Sequence, residues 1–358
     1  MNQIALTRGV PADESYPLED VASCAQSVMQ DRQLALEAMR YGTGYGFNPL
    51  RELLATQYGV TVDQVLVGNG SLSFVDLLGV ILEPGSTVLV EAPTYDRTLT
   101  LLKRHRLNVV DVLLEPDGVN LEAFEASVKT NKPKFAYLIA DFQNPSGACM
   151  SLEKRKKVVE LAERYDIMIL EDSPYRALRY KGSDVPSLFE LNPARVMQMS
   201  SYTKQISPGV RVGTLVGDKA WIAKLAKAAN DTYISGAFLG QATVYEFLQR
   251  GLLEPQLTRI RALYGPRLER MASQLRAHGL TDFLEPEGGF FLSVNLPKGS
   301  RMDDLLERSK TLGLVLTDGR GFFLNPKDGE RFLRLPFCAL SNDEIDEGMA
   351  RVAKLVLS

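Results

Sequence analysis

Short apolar segments alternate with amphipathic ones through the first part of the chain. The apolar segments have the length of buried strands and lie at 65–67, 87–91, 109–114, 135–140, 167–170, 196–199 and 212–216. Apolar residues recur at helical spacing at 72–82, 96–104, 121–128 and 152–165, and we expect Ser151 to cap the last of these helices. The alternation predicts an α/β fold, in which a mostly parallel sheet is sandwiched by helices.

The pattern changes after Asp218. Two long helical stretches, 237–250 and 255–278, lead into predicted strands at 290–294, 315–317 and 332–336 and predicted helices at 302–311 and 342–356. This part of the chain is therefore predicted to form a smaller α+β domain. We divide the chain into a large domain, 41–245, and a small domain made of 1–40 together with 246–358, linked by the long helices.

Polar and turn-forming residues follow five of the predicted strands. They occupy positions 68–71, 93–95, 144–147, 172–175 and 200–204. Ligands of open α/β sheets bind beyond the carboxyl ends of the strands. Because several polar segments meet at that edge of one sheet, we expect the ligand site there.

Composition narrows the kind of ligand. The 358 residues carry 41 Lys+Arg against 44 Asp+Glu, a formal charge of -3, so the chain has no net basic field for nucleic acid or for an anionic membrane. No apolar run is long enough to span a bilayer, and the first residues lack a secretory signal. We therefore expect a small-molecule ligand.

The scarce residue types narrow the chemistry. Three cysteines without CxxC spacing argue against a disulfide framework and a zinc site, so we expect a cytoplasmic protein without a metal. With only two histidines, His105 and His278, a catalytic triad or a histidine metal site is improbable. Acid-base chemistry must then fall to Lys, Tyr, Asp or a cofactor.

Lys204 is the first candidate for that chemistry. Alone it would be read as an ordinary solvated loop lysine, but Ser201, Thr203 and Arg211 can converge on a phosphate beside it. A second anion site is predicted where Gly70 and Ser71 open a helix, because the first backbone N–H groups of a helix are free. A lysine beside a phosphate suggests pyridoxal 5'-phosphate, whose aldehyde forms a Schiff base with a lysine amine.

The rest of that cofactor also has candidate partners. Its ring nitrogen requires a buried carboxylate, and Asp172 follows the predicted strand 167–170. Its phenolic oxygen requires donors, which Asn144 and Tyr175 could supply. Its ring face requires packing, for which Tyr95 is the candidate.

The chain resembles a known family in an ordered series of motifs. They read GSLSFVDLL, APTY, FQNPSG, EDSPY, SSYTKxxxPGVRVG, PEGGFFL and FLRLPF, and the resemblance runs from about Arg8 to the C-terminus. The series is similar to that of the class I/II aminotransferases, pyridoxal-phosphate enzymes of fold type I. The FQNPSG and EDSPY forms are most like the subgroup of 2-aminoadipate and aromatic aminotransferases.

The resemblance implies a role for each candidate of the cofactor site. Lys204 would form the Schiff base and move the proton, and Asp172 would pair with the ring nitrogen. The other implied cofactor residues are Gly70, Ser71, Leu72 and Arg211 with Ser201 for the phosphate, Asn144 and Tyr175 for the phenolic oxygen, and Tyr95 for the ring face.

The resemblance also implies how substrate and subunits meet. Arg334, with Asn144, would bind the substrate α-carboxylate, although a solvent-facing arginine is the alternative at that position. Tyr41 would reach the phosphate of the other subunit, since family members are dimers with shared sites. The glycines at 42, 44 and 46 follow no strand, so they indicate a pocket rim and not a dinucleotide site.

Some positions depart from the family pattern. Gln or Ala is more usual where Leu72 and Ser73 stand. Phe is more usual at Tyr202, Ser at Thr203 and Asp at Ser173. Tyr202 and Ser173 stand beside the Schiff-base lysine and the ring-nitrogen carboxylate. Changes at these two positions alter the surroundings of the cofactor, so other reactions of the same cofactor stay open as alternatives.

Three functions remain open. The leading hypothesis is an aminotransferase that moves an amino group between an L-amino acid and a 2-oxo acid by a ping-pong mechanism. The first alternative is an enzyme of specialised metabolism that uses the same cofactor for elimination, replacement, decarboxylation or oxidation. The second is an amino-acid-sensing module, which the absence of a basic recognition helix disfavours.

Overall fold

The computed structural model describes residues 2–7 and 9–357. Arg8, where the resemblance begins, lies outside the described residues. The strands are β1 (Ile4–Leu6), β2 (Val65–Gly68), β3 (Thr87–Ala92), β4 (Asn108–Glu115), β5 (Gly118–Val119), β6 (Phe135–Leu138), β7 (Met168–Asp172), β8 (Val196–Ser201), β9 (Gly213–Val216), β10 (Phe283–Leu284), β11 (Phe291–Asn295), β12 (Leu314–Leu316) and β13 (Phe332–Pro336).

The helices cover the sheets and join their strands. They are α1 (Leu18–Gln30), α2 (Arg32–Met39), α3 (Asn48–Tyr58), α4 (Leu72–Ile81), α5 (Asp96–Arg104), α6 (Leu121–Asn131), α7 (Leu152–Arg164), α8 (Leu188–Leu191), α9 (Lys219–Tyr233), α10 (Phe238–Gln249), α11 (Leu253–Ala277), α12 (Met302–Thr311) and α13 (Asn342–Leu357). The Ser151 side chain accepts a hydrogen bond from Lys154 N, which confirms the cap predicted for α7. In the part of the chain that is described, no helix is both long and apolar enough to cross a bilayer.

The central sheet has eight strands in the order β2-β9-β8-β7-β6-β3-β4-β5. Strands β8, β7, β6, β3 and β4 are mutually parallel, which confirms the predicted α/β fold. Strand β9 runs antiparallel to both of its neighbours, and β5 forms a short antiparallel edge. The carboxyl ends of the parallel strands therefore meet at one edge of the sheet.

Each face of this sheet is buried by its own layer of helices. Successive residues of a strand point to opposite faces. Val90, Tyr137 and Leu170 belong to the apolar cluster that includes α4, α5 and α9, which we call the front face. Leu89 and Ile169, one residue before Val90 and Leu170, belong to the cluster with α6, α7 and α10, the back face.

The C-terminal part of the chain builds a second core. Strands β10, β11 and β13 form an antiparallel sheet, and β1 pairs with β12 in parallel. This core includes Leu268 and Met271 of α11 and Val352 of α13. Cys24 of α1, in contrast, packs in the cluster of the back face. The division at residue 41 stays a prediction, and the packing of α1 favours placing that helix with the larger sheet.

Candidate active site

The loop after β2 passes very close to the start of β9. Gly68 pairs with Gly213 at the end of the antiparallel ladder. A Cβ on Gly213 would lie 2.4 Å from both Gly70 C and Ser71 N, and a Cβ on Gly70, whose φ is +90°, would lie 2.7 Å from Arg211 Nη2. Only glycines permit this approach, which brings Arg211 against the start of α4.

That start of α4 is built to hold an anion. The first N–H groups of a helix have no partner within it and lie at the positive end of the helix dipole. Arg211 is exposed and donates from Nη2 to Asn69 O at 2.9 Å, so its guanidinium lies beside the same turn. Ser201 Oγ donates to Thr203 Oγ1 at 2.7 Å and accepts from Thr203 N at 3.2 Å. Hydroxyl, guanidinium and helix terminus together suit a phosphate.

Lys204 follows β8 by three residues and is largely enclosed. Its Nζ donates to the carbonyl of Gly9 at 2.7 Å and lies 5.5 Å from the ring centre of Phe290. Burial lowers the pKa of Lys204 to about 8 because the charged ammonium loses hydration. The described residues include no acidic side chain in ionic contact with it.

Asp172 ends β7 on the front face and is 5% exposed. Its Oδ2 accepts a hydrogen bond from the Tyr137 hydroxyl at 2.5 Å, whereas its Oδ1 is buried with no partner among the described residues. Burial raises the pKa of Asp172 to about 7, with the bond from Tyr137 lowering it and Glu171 raising it. An unsatisfied buried carboxylate oxygen is costly, which indicates that a ligand supplies its partner.

Arg334 lies on β13, in the antiparallel sheet of the C-terminal part of the chain, and is 6% exposed. Its Nη1 donates to Asn144 Oδ1 at 2.9 Å, and its guanidinium lies 4.5 Å and 4.7 Å from the ring centres of Phe291 and Phe322. Its Nε is buried without a partner among the described residues. The solvent-facing alternative for Arg334 is therefore wrong.

The predicted cofactor residues, with the exception of Tyr41, line one cavity of about 180 Å³. Tyr175, buried against Phe290 and Phe291, and Tyr95, at the start of α5, complete its walls. Tyr41 is 85% exposed and lines a different surface groove with Leu36 and Phe238. Its role toward a second subunit stays a prediction.

Two polar side chains of the N-terminal and C-terminal segments, Tyr16 and Arg320, have partners that do not line the cavity. Arg320 is bound by Asp318 and Asp303 at 2.7 Å each, and the Tyr16 hydroxyl donates to Pro11 O at 3.2 Å. Phe322, in contrast, packs on Arg334.

Sequence reasoning missed Tyr137. It stands inside the predicted strand 135–140, where its ring looked like core material, and its hydroxyl bonds to Asp172. A polar tip within an otherwise apolar strand was the available signal, since a buried tyrosine hydroxyl usually has a partner. The buried carboxyl groups Glu91 and Glu171, at the same edge of the sheet, were missed as well.

This fold and this cavity define a class. An α/β sheet with a phosphate-binding turn, a lysine and an unpartnered carboxylate at its strand ends is the arrangement of pyridoxal-phosphate enzymes of fold type I. The family model "Aminotransferase class I and II" matches residues 1–352. The chain belongs to that family.

Relatives of known name agree with this assignment. The chain is 31% identical to aromatic-amino-acid aminotransferase 1 of Thermococcus litoralis over 99% of this chain and 88% of the relative. The crystal structure of Pyrococcus horikoshii kynurenine aminotransferase, in complex with PMP, superimposes with a TM-score of 0.94 at 33% identity, covering 100% of this chain and 91% of the other.

A third relative carries the cofactor joined to an amino acid. The α-aminoadipate aminotransferase LysN of Thermus thermophilus, complexed with N-(5'-phosphopyridoxyl)-L-leucine, gives a TM-score of 0.93 at 30% identity over 99% of this chain and 92% of the other. The chain is accordingly a pyridoxal 5'-phosphate-dependent aminotransferase.

The residues present here fit that cofactor. The orphaned Oδ1 of Asp172 meets the requirement of a protonated ring nitrogen, and the glycine-lined turn at Gly70 meets that of a phosphate. Lys204 borders the same cavity.

Proposed function

We propose that amino-group transfer between an L-amino acid and a 2-oxo acid takes place in this cavity, with Lys204 as the group that moves the proton. The observation that carries the proposal is the convergence of a lysine and an unpartnered carboxylate oxygen on one enclosed space beside a phosphate-binding turn. Bound pyridoxal 5'-phosphate supplies an electron-withdrawing ring and a carbonyl carbon that binds amines.

Lys204 is suited to act as both amine and base. With its pKa lowered to about 8, a substantial fraction of the side chain is neutral near pH 7.5, and only the neutral amine accepts a proton or attacks a carbonyl carbon. Lys204 Nζ donates to Gly9 O, so the N-terminal segment holds the amine of a residue that lines the cavity. The same side chain can then carry a proton between two carbon atoms held in front of it.

Asp172 and the helix start hold the two ends of the cofactor. Asp172 Oδ1 would accept a hydrogen bond from the ring nitrogen and keep it protonated. Ser71 and Leu72, through backbone N–H, would bind the phosphate together with Ser201 and Arg211. Holding both ends fixes the ring in one plane relative to Lys204, which is how an enzyme converts binding into orientation.

Arg334 would hold the substrate carboxylate. Among the described residues Arg334 has no carboxylate partner: Nη1 donates to Asn144 Oδ1, Nη2 donates to Thr7 O, and Nε is unpartnered. Its planar guanidinium has five N–H donors and can bind a carboxylate in a bidentate manner. Phe291 and Phe322 exclude water from both sides of it. A bound α-carboxylate would remove the cost of burying this charge.

The cofactor link to Lys204 is directly testable. We expect the purified protein to show a yellow absorption band, and sodium borohydride to fix the cofactor covalently on the peptide that contains Lys204. Lys204→Ala should abolish both the fixation and turnover, whereas Lys227→Ala, which removes an exposed lysine paired with Asp231, should change neither. A wild-type protein that never acquires the band with added cofactor would refute the proposal.

Reaction type needs its own assay. Amino acids are supplied one at a time with 2-oxoglutarate, and both glutamate and the remaining amino acid are quantified. We expect glutamate to appear in step with loss of the amino acid. Consumption of the amino acid without glutamate for every donor would instead support elimination, replacement, decarboxylation or oxidation, which the unusual neighbours Ser173 and Tyr202 keep open.

We also infer that the active unit is a homodimer. Leu36, Met39 and Tyr41 are 43%, 65% and 85% exposed and lie within six residues of one another. Apolar side chains concentrated in this way mark a contact surface. Light scattering should give twice the mass of the chain, and Tyr41→Phe should weaken cofactor binding without changing that mass. A monomeric, fully active holoenzyme would contradict the inference.

The proposed compartment is the cytoplasm. Cys24, Cys149 and Cys338 are all free thiols in the structure, and unpaired cysteines are typical of reducing compartments. Cell fractionation of the tagged protein tests this.

A further inference from the structure

We propose that Tyr137 is a positioning residue for Asp172: its hydroxyl holds one carboxylate oxygen so that the other is presented, ionised, to the cofactor ring. This inference rests on the proposed role of Asp172 at the ring nitrogen. It assigns a function to a residue that is not itself among the residues lining the cavity.

The sheet geometry brings the two side chains together. Tyr137 of β6 pairs in register with Leu170 of β7, and Asp172 lies two residues beyond Leu170 on the same front face. Such diagonal neighbours of adjacent strands are within reach of a long aromatic side chain. The Tyr137 ring packs in the front-face core at 2% exposure, and its hydroxyl meets Asp172 Oδ2 at 2.5 Å.

The two oxygens of Asp172 thereby acquire different tasks. Oδ2 accepts from Tyr137, Oδ1 is buried and without a partner among the described residues, and Asp172 lines the cavity. Oδ1 is therefore the oxygen left for the ring. A carboxyl group free to rotate could offer either oxygen or could keep a proton on the one that faces the ligand. A hydroxyl that donates to one oxygen restrains the rotation and favours the ionised form.

Among residues 2–7 and 9–357, no second hydrogen bond or ion pair supports the ionised form of Asp172. The groups that face it are Tyr95, the residue before α5, Tyr175 from the loop after β7, and the carboxyl groups Glu171 and Glu91. The nearby carboxyl groups disfavour a further negative charge, and burial does so more strongly. Tyr137 is the hydrogen-bond donor recorded on the Asp172 carboxylate within the described chain.

A double-mutant cycle separates positioning from simple core packing. Tyr137→Phe keeps the ring and removes the hydroxyl alone. We expect the affinity of the apo-protein for pyridoxal 5'-phosphate, measured by absorbance titration, to fall at least tenfold. We expect kcat to fall at least tenfold as well, with KM for the amino acid within threefold, because Arg334 is untouched.

The partner background gives the decisive comparison. In Asp172→Asn, the additional Tyr137→Phe change should cost less than threefold in either measurement, since residues that act through one another are not additive. Equal losses in both backgrounds, or no loss in the wild-type background, would overturn the inference. If Asp172→Asn alone left cofactor affinity and turnover unchanged, the proposed function of Asp172 would fail instead.

Tyr165→Phe is the matched control. It removes a tyrosine hydroxyl that donates to a carboxylate, Glu125 Oε1, at 2.7 Å on the outer helices, and it should leave cofactor affinity and kcat unchanged. Should Tyr137→Phe not fold, a crystal structure of the wild-type holoenzyme decides. A Tyr137 hydroxyl within hydrogen-bond distance of Asp172 Oδ2, with Oδ1 on the ring nitrogen, supports the inference, and a hydroxyl pointing elsewhere refutes it.

Discussion

Three side chains of the cavity region are buried charges without an ionic partner within the described chain. They are Lys204, Asp172 and Arg334. A buried charge is costly unless something pairs with it. The unpaired charges therefore indicate which groups the ligands carry. Lys204 calls for an acceptor of an amine, Asp172 for a protonated ring nitrogen and Arg334 for a carboxylate.

Arg334→Ala should raise KM for the amino acid about 100-fold or more while the cofactor band stays intact. A buried charge-assisted bond to a carboxylate is worth roughly 2–3 kcal/mol, and here the variant removes a bidentate pair. Arg331→Ala, which removes an exposed guanidinium three residues earlier, is the control and should leave KM unchanged. Loss of the band in Arg334→Ala would show that Arg334 supports the cofactor instead.

The rate of cofactor capture should follow the ionisation of Lys204. Because burial lowers its pKa to about 8, most of the Lys204 side chain is in the reactive neutral form above that pH. Stopped-flow mixing of apo-protein with pyridoxal 5'-phosphate should show a rate constant that rises through pH 8, where it is half-maximal, and levels about one pH unit higher. N-α-acetyl-lysine under the same conditions should continue to rise to about pH 10. Parallel profiles for protein and model amine would contradict the lowered pKa.

At the scale of elements, the site is made by strand ends and the turns that follow them. The turn after β2, the start of α4 and the start of β9 meet so closely that side chains would not fit between them. Arg211, at φ +52°, follows the short 3₁₀ turn Pro208–Val210 and is directed back onto that contact. The antiparallel β9 is therefore what delivers the arginine to the phosphate-binding turn.

Gly213→Ala should weaken pyridoxal 5'-phosphate binding at least tenfold. The added methyl group would stand 2.4 Å from Gly70 C and Ser71 N, so β9 and the anion-binding turn must separate. Gly209→Ala, in the same loop, meets only Ser207 Oγ at 3.4 Å and should bind the cofactor normally. Absorbance titration of the apo-proteins makes the comparison, and equal affinity of the two variants would contradict the close-approach argument.

At the scale of the whole molecule, three buried carboxyl groups share one edge of the central sheet. Asp172 faces the cavity, whereas Glu171 accepts from Leu188 N, Phe189 N and Gln198 Nε2. Glu91 Oε2 accepts from Ile139 N and Gln143 Nε2, and its Oε1 is buried without a partner among the described residues. Burial raises the pKa of Glu91 to about 8 and that of Glu171 to about 7. Glu91 therefore favours the neutral form at neutral pH, whereas Glu171 is about half ionised there.

Glu91→Gln should make the stability of the apo-protein less dependent on pH. The folded-state pKa of Glu91 lies above its unfolded value, so its contribution is fully present below about pH 4.5 and is lost as pH rises through about 8. Between pH 5 and 8 the wild type should lose up to about 4 kcal/mol of unfolding free energy through this group. Denaturant unfolding at both pH values measures the difference, and Glu122→Gln, an exposed carboxyl, is the control. An unchanged pH dependence in Glu91→Gln would sink this account.

Much of the architecture was predictable because the local spacing of apolar residues indicates where strands and helices lie. The segment predicted at 196–199 became Val196–Ser201, and that predicted at 65–67 became Val65–Gly68. The helix Lys219–Tyr233 and the strand Ile4–Leu6 were missed. The strand has three residues and forms only by pairing with β12, more than 300 residues away, so no local pattern announces it.

The candidate site was also predictable only in part. Lys204, Asp172 and Arg211 stand in motifs whose spacing is visible in the chain, and the cavity gathers them. The contact of Arg334 with Asn144 joins residues 190 positions apart, and the bond of Tyr137 to Asp172 depends on which strands are neighbours. The role of Tyr41 stays a prediction, because the phosphate that it is expected to reach belongs to another subunit.

By itself the sequence determined the alternation of strands and helices and the α/β class, and it supplied Lys204, Asp172 and the turn at Gly70 as candidates for the site. Only the tertiary structure decided the strand order, the antiparallel course of β9, the burial of Arg334 and which oxygen of Asp172 is free. The physical reason is one of range. Periodicity and turn chemistry act between near neighbours, whereas burial and unmet hydrogen bonds arise only when distant segments pack and exclude water.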